Sequence, residues 1–171
     1  READIAIRPG SNPLQGSAMV GRRVATIAFG LYGAPAYLTR HGRPAGPEDG
    51  LSGHQLVGFD ESLARIGPAL WLEKHGAGAR TVYRSQSLVH MASAARAGIG
   101  LALLPCFLAD TEPALVRLFI ADGEAETGLW LLTHEELRHT ARVRAFLDFV
   151  APRLVARRKL FDPRERDPIL T

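Results

Sequence analysis

One thiol, two neighbouring hydroxyls and six imidazoles are the first groups to weigh for covalent or metal chemistry: Cys106, Ser85 with Ser87, and His41, His54, His75, His90, His134 and His139. Zinc requires three or four thiolate or imidazole ligands at short, recurring spacings. These histidines are scattered and a single cysteine is there to join them, so no metal site is expected. A serine hydrolase presents its nucleophile on a sharp strand-to-helix turn, G-x-S-x-G. Gly50-Leu51-Ser52-Gly53-His54 lacks the second glycine and sits in a loop, so it reads as a surface turn. Gly98-Ile99-Gly100 follows a helix and enters a strand, whereas a dinucleotide fingerprint puts its glycines before a helix N-terminus that holds the phosphates. No cofactor is expected. Cys106 follows Pro105 at the end of an apolar strand, the setting of a packing cysteine rather than an activated one. Ser85, His90 and Cys106 lie close in sequence but lack a base-orienter arrangement, so no catalytic residue is assigned and the chain is not read as an enzyme.

The remaining chemistry is binding. Polar groups gather at the ends of strands: Arg8 to Ser11, Phe59-Asp60, Ser85-Gln86-Ser87 and Pro105-Cys106-Phe107. In open α/β sheets ligands sit beyond the carboxyl ends of parallel strands, where helix N-termini present free N–H groups. Ser85 and Ser87 would face such a crevice while capping the helix that follows.

The elements that must position these groups are read from periodicity. Ala3, Ile5 and Ile7 alternate as a buried strand before turn chemistry from Arg8 to Pro13. A core strand so near an end without a methionine reads as a piece cut from a longer chain. A second strand spans Arg23 to Phe29, and Pro35 opens a short helix that stops at Gly42. Gln55 to Phe59 is a third strand, and a helical pattern from Glu61 to His75 is broken or restarted by Pro68. Thr81 to Arg84, the helix marked by Leu88, Met91, Ala92 and Ala95, and the unbroken apolar strand Ile99 to Leu104 form a parallel βαβ unit. Leu115 to Ile120 and Leu129 to Leu132 are further strands. Val143, Phe146, Leu147, Val150 and Leu154 mark an amphipathic helix, and the charged residues 157–171 read as a loose tail. The fold class is α/β with largely parallel sheets.

Composition narrows the setting. At 46% hydrophobic and 23% charged, the chain is globular. Its longest apolar stretch, Ile99 to Ala109, is interrupted by Pro105 and falls short of the ~20 residues that span a bilayer. A single cysteine agrees with a reducing cytoplasm. The net charge is +3, with basic residues dispersed except at Arg157-Arg158-Lys159, so this segment presents no basic face for DNA.

Four stretches taken in order carry a family resemblance: ADIAIR (3–8), APAYLTRHGRP (34–44), SQSLVHMASAARAGIGLALLP (85–105) and LWLLTHEELRHTARVRAFLDFV (129–150). Together they resemble the effector-binding domain of LysR-type bacterial transcriptional regulators. The resemblance implies a two-lobed fold of the periplasmic-binding-protein kind, type 2, with residues 1–27 and 126–156 in the first lobe, 28–125 in the second and 157–171 as a C-terminal tail. It implies a small-molecule effector held between the lobes, a homodimer or homotetramer, a cytoplasmic location and no membrane contact. DNA would be reached only through an N-terminal winged helix-turn-helix, and that segment, a linker helix and the start of the first lobe precede the family segment matched here. Arg8, Phe59, Ser85, Ser87, Pro105 and Cys106 fall at cleft positions. Arg8 is then a carboxylate partner, Phe59 an apolar wall, and Ser85 and Ser87 hydrogen-bond donors. A periplasmic solute-binding protein of a transporter shares this fold and is the alternative.

Overall fold

At Ala28 the chain leaves one sheet and enters another. The computed structural model describes residues 3–11, 13–14, 18–47 and 50–164. Its strands are β1 (Ile5–Gly10), β2 (Met19–Ile27), β3 (Phe29–Gly33), β4 (Gln55–Phe59), β5 (Arg80–Ser85), β6 (Leu101–Pro105), β7 (Val116–Ile120) and β8 (Thr127–His134). Its helices are α1 (Pro35–His41), α2 (Gly67–His75), α3 (Leu88–Arg96), α4 (Cys106–Ala109), α5 (Ala141–Ala156) and α6 (Arg158–Phe161). The chain divides into two compact units, Arg1–Ile27 with Thr127–Thr171 and Ala28–Glu126.

In the first unit β8 lies between β1 and β2 and is antiparallel to both. The expected turn at Arg8 to Gly10 is instead the end of β1. Pro9 is tolerated there because β1 is an edge strand, where a missing N–H breaks no interior ladder. Nor is β1 buried as alternation predicts, since Ile7 remains 49% exposed. Thr133 donates from Oγ1 to the Asp4 carbonyl at 2.7 Å, and the Asp4 carboxylate pairs with Arg142 of α5 at 3.0 Å. Helix α5 buries a narrower stripe than its sequence suggests: Val143 and Ala151 are inside while Phe146 and Phe149 are exposed. The expected loose tail is a correction too. Residues 158–161 form α6, which packs on β2, and Asp162 is buried. Residues 165–171 lie outside the described part.

The second unit is a five-stranded sheet in the order β5-β4-β6-β3-β7. Its β5-β4-β6 portion is parallel, and β3 is antiparallel to both β6 and β7. The expectation of largely parallel sheets therefore fails outside that portion. Parallel neighbours need crossovers long enough to hold a helix; α2 links β4 to β5 and α3 links β5 to β6, the second being the βαβ unit expected from the sequence. The strand expected over Arg23 to Phe29 splits at the fully buried Ala28, and residues 30–33, beyond the expected strand, belong to β3.

Local chemistry explains the motifs. Tyr37 is fully buried, its hydroxyl accepts the Gln55 N–H at 2.8 Å, and its ring stacks on His41, so α1 is pinned to the start of β4. Gly98 closes α3 at φ +73°, a left-handed conformation that costs an L side chain about 1–2 kcal/mol. Gly100 is required for a different reason: a Cβ there would stand 2.7 Å from the Gln55 carbonyl oxygen. Pro68 opens α2 rather than interrupting it, and residues 61–63 form a separate 3-10 turn capped by Asp60, which accepts the Ser62 N–H at 2.9 Å.

Candidate functional site

Three parallel strands of the second unit end side by side. Phe59 and Ser85 are register partners at the ends of β4 and β5, and the Asp60 N–H donates to the Ser85 carbonyl at 3.2 Å. Ser85 is buried, and its Oγ accepts the Ser87 N–H at 3.0 Å. The Ser87 Oγ in turn accepts the His90 N–H at 3.4 Å and so caps α3. Each serine spends acceptor capacity on the backbone, and each keeps a hydroxyl hydrogen able to donate. On the other side of β4, β6 runs parallel and ends in the buried Pro105. Phe59, Ser85, Ser87 and Pro105 therefore gather at one edge of one sheet, with the N-terminus of α3 among them.

Cys106 follows directly, but its side chain does not join the edge. It is 0% exposed and its N–H is committed to the Ala28 carbonyl at 2.9 Å. Burial pushes its thiol above the ordinary cysteine range, only partly offset by the Tyr32 hydroxyl. Tyr32, raised above its own usual value chiefly by burial, donates to Asp110 at 2.8 Å, and Arg117 pairs with the second Asp110 oxygen. Cys106, expected at a cleft position, has its thiol in an interior polar network. Sequence gave no sign of that network, because Tyr32 and Asp110 are 78 residues apart and meet only once β3 and α4 are placed.

Arg8 belongs to the first unit. It is exposed on β1, opposite Trp130 of β8, and makes no ion pair or side-chain hydrogen bond among the described residues. Another residue group was missed in the second unit. A cavity of about 530 Å³ opens between the β4-β5 face and α2, with Gly58, Phe59, Leu72 and Thr81 on its walls and Glu73 and Arg84 among its charged groups. The Arg84 Nη1 donates to the Phe59 carbonyl at 3.0 Å, tying the cavity to the strand ends. The sequence signal for it is slight, a charged residue one place before the end of a strand. Among the described residues no group of three or more His, Cys, Asp or Glu side chains is placed to hold a metal ion. No described helix is long and apolar enough to cross a membrane.

Comparison with known proteins gives this geometry a context. The HTH-type transcriptional regulator CrgA of Neisseria meningitidis serogroup C is 29% identical over 166 residues, covering 90% of this chain and 52% of the relative. The chain thus spans about half the length of the curated relatives it matches. The solved regulatory domain of CrgA from Neisseria meningitidis superposes with a TM-score of 0.69 at 27% identity, covering 88% of this chain and 75% of that one. The effector domain of AmpR from Pseudomonas aeruginosa shares the fold, with a TM-score of 0.67 at 22% identity over 91% of this chain and 74% of that one. These likenesses agree with the periplasmic-binding-protein-like type 2 architecture. Residues 1–155 match the LysR substrate binding domain, and with that match the chain belongs to the LysR substrate-binding-domain family.

Proposed function

We propose that the chain is the ligand-sensing part of a LysR-type transcriptional regulator and that a small-molecule effector engages the strand ends of the second unit. The observation that carries this is the convergence of Phe59, Ser85, Ser87 and Pro105 where β4, β5 and β6 end beside the N-terminus of α3. Phe59 supplies an apolar wall, and Ser85 and Ser87 supply hydroxyl donors. Arg8, exposed on β1 of the first unit and without an ion pair among the described residues, is by itself a cation open to a carboxylate. The chain acts by binding rather than catalysis, in keeping with its kinship with transcriptional regulators. In the complete regulator it forms a homodimer or homotetramer in the cytoplasm, and DNA is held by a segment outside these residues. An effector becomes a signal only through different affinities for two states of the regulator.

The kinship with CrgA, named as an HTH-type transcriptional regulator, favours this reading over a solute-binding protein of a transporter. The test is a DNA footprint of the complete gene product across a metabolite panel pre-screened by thermal shift. A ligand at a hundredfold excess over its Kd stabilises the folded state by about 2.7 kcal/mol. At least one stabilising compound is expected to change the footprint, and Ser85→Ala with Ser87→Ala is expected to abolish that change. Stabilising compounds that never alter DNA binding would overturn the regulatory role.

A further inference from the structure

The three-stranded sheet of the first unit carries a row that the strand-end site does not use. Arg8 on β1 is opposite Trp130 on β8, and Trp130 is opposite Arg23 on β2. Directly opposed residues of antiparallel strands share a face with Cβ atoms about 4.5–5.5 Å apart. An indole therefore stands between two arginines. Both arginines are exposed and Trp130 is half-buried.

The row is held in place. The Trp130 Nε1–H donates to the Gly10 carbonyl at 2.8 Å. Gly10 and Gly128 are register partners, and a Cβ on Gly128 would collide with the indole nitrogen and stand 3.2 Å from the Arg23 Nε. The ring and the Arg23 guanidinium thus lie over a floor that only glycine leaves clear. Arg23 donates from Nε to the Ala25 carbonyl at 3.3 Å and from Nη2 to the Thr26 Oγ1 at 3.0 Å, which fixes the guanidinium without neutralising it. Among the described residues neither Arg8 nor Arg23 has a carboxylate partner, and the Asp4 carboxylate just before β1 is taken by Arg142.

Two uncompensated guanidiniums beside an anchored π surface specify a ligand that is flat and anionic at both ends. We propose that the Arg8-Trp130-Arg23 row binds a planar dicarboxylate, one carboxylate on each arginine and the conjugated body against the indole. The proposal rests on the ligand-sensing reading and names a chemical class of effector for it.

The test uses the 171-residue chain labelled with 15N and 5-fluorotryptophan, the two 19F resonances being assigned with Trp130→Phe. Terephthalate, trans-cyclohexane-1,4-dicarboxylate and benzoate are titrated at fixed ionic strength. Terephthalate is expected to shift the Trp130 resonance, leave that of Trp71 in place, and bind roughly tenfold more tightly than the saturated dianion, which cannot stack. Benzoate, with one carboxylate, is expected to bind more weakly than terephthalate. Arg8→Gln and Arg23→Gln should each cost about tenfold, and Arg8→Lys should not restore the loss because its ammonium lacks the planar fork. Arg8 has no structural partner, so its variants keep the test open even if Arg23→Gln perturbs folding. Equal binding of the two dianions, or no effect of the arginine variants, overturns the proposal. Shifts confined to the Ser85 and Ser87 amides overturn the row and leave the sensing reading standing. Binding at the row that never changes the complete protein's DNA footprint leaves the row and removes the sensing reading.

Discussion

Cys106, which the family resemblance places at a cleft position, is a fully buried thiol. Cys106 is 0% exposed and burial raises its thiol, so the thiolate needed for reaction is scarce and shielded. With Ellman's reagent the native chain should react only as fast as it opens, and fully once urea unfolds it; stoichiometric labelling within seconds under native conditions would show the thiol to be reachable. Asp162 makes the opposite point about charge. Burial opposes its ionisation, but the Arg164 side chain and N–H donate to the carboxylate at 2.9 and 3.0 Å and hold it below the usual carboxylate range. A carboxyl depressed in the folded state stabilises above its unfolded value, near ~3.9, and that contribution is lost as pH falls through the folded value. Asp162→Asn should therefore destabilise at pH 7, and its difference from the parent should shrink as pH falls below about 4, as read from urea midpoints. Residue-scale chemistry of this kind was the least legible part of the sequence. Ser85 and Ser87 were visible because capping is local, whereas Tyr32 with Asp110 and Trp130 with Gly10 are joined over 78 and 120 residues by strand register alone.

Elements were legible wherever a local signal set them. Pro35 and Gly42 bound α1, Ser87 and Gly98 bound α3, and the burial of Leu101 to Leu104 follows from an unbroken apolar run. The two glycines after α3 separate two causes of glycine selection. Gly98→Ala should cost about 1–2 kcal/mol, the strain of a left-handed alanine. Gly100→Ala should cost more, because the obstacle is the Gln55 backbone oxygen and a strand must shift to admit a methyl. Urea unfolding of both variants checks the order, and a smaller loss at Gly100 would mean β4 and β6 separate easily. What the pattern could not supply, outside the one βαβ unit, was strand direction. Alternation and apolar runs report burial, while parallel or antiparallel pairing depends on which strands become neighbours. The antiparallel β3 was hidden for that reason, and Ala28 for another: it is an ordinary strand residue whose only distinction is to separate Ile27 of one sheet from Phe29 of the next.

At the scale of the whole chain, the second unit is one continuous stretch and the first is two stretches far apart in sequence. The second holds Trp71, Tyr32, Tyr37 and the leucines of β6, all nearly or fully buried. A fragment of residues 28–126 should then fold alone with a cooperative urea transition, and a featureless, noncooperative melt would show that it depends on the rest. Family kinship was readable at this scale because four short motifs keep their order across the chain.

The continuity of the second unit also sets an order in time. Its two ends are neighbours: β3 pairs with β7, and the Ala121 N–H donates to the Phe29 carbonyl at 2.8 Å. Closing a loop of roughly a hundred residues costs entropy before any contact repays it, yet the pairing of β1 with β8 demands that closure. A folded second unit has already brought residues 28 and 121 to the same sheet, so the remaining search for β1 and β2 against β8 is nearly local. During synthesis β1 and β2 emerge before β8 and cannot pair with it until the second unit has been made, and any variant that slows the second unit prolongs that wait and its exposure to aggregation.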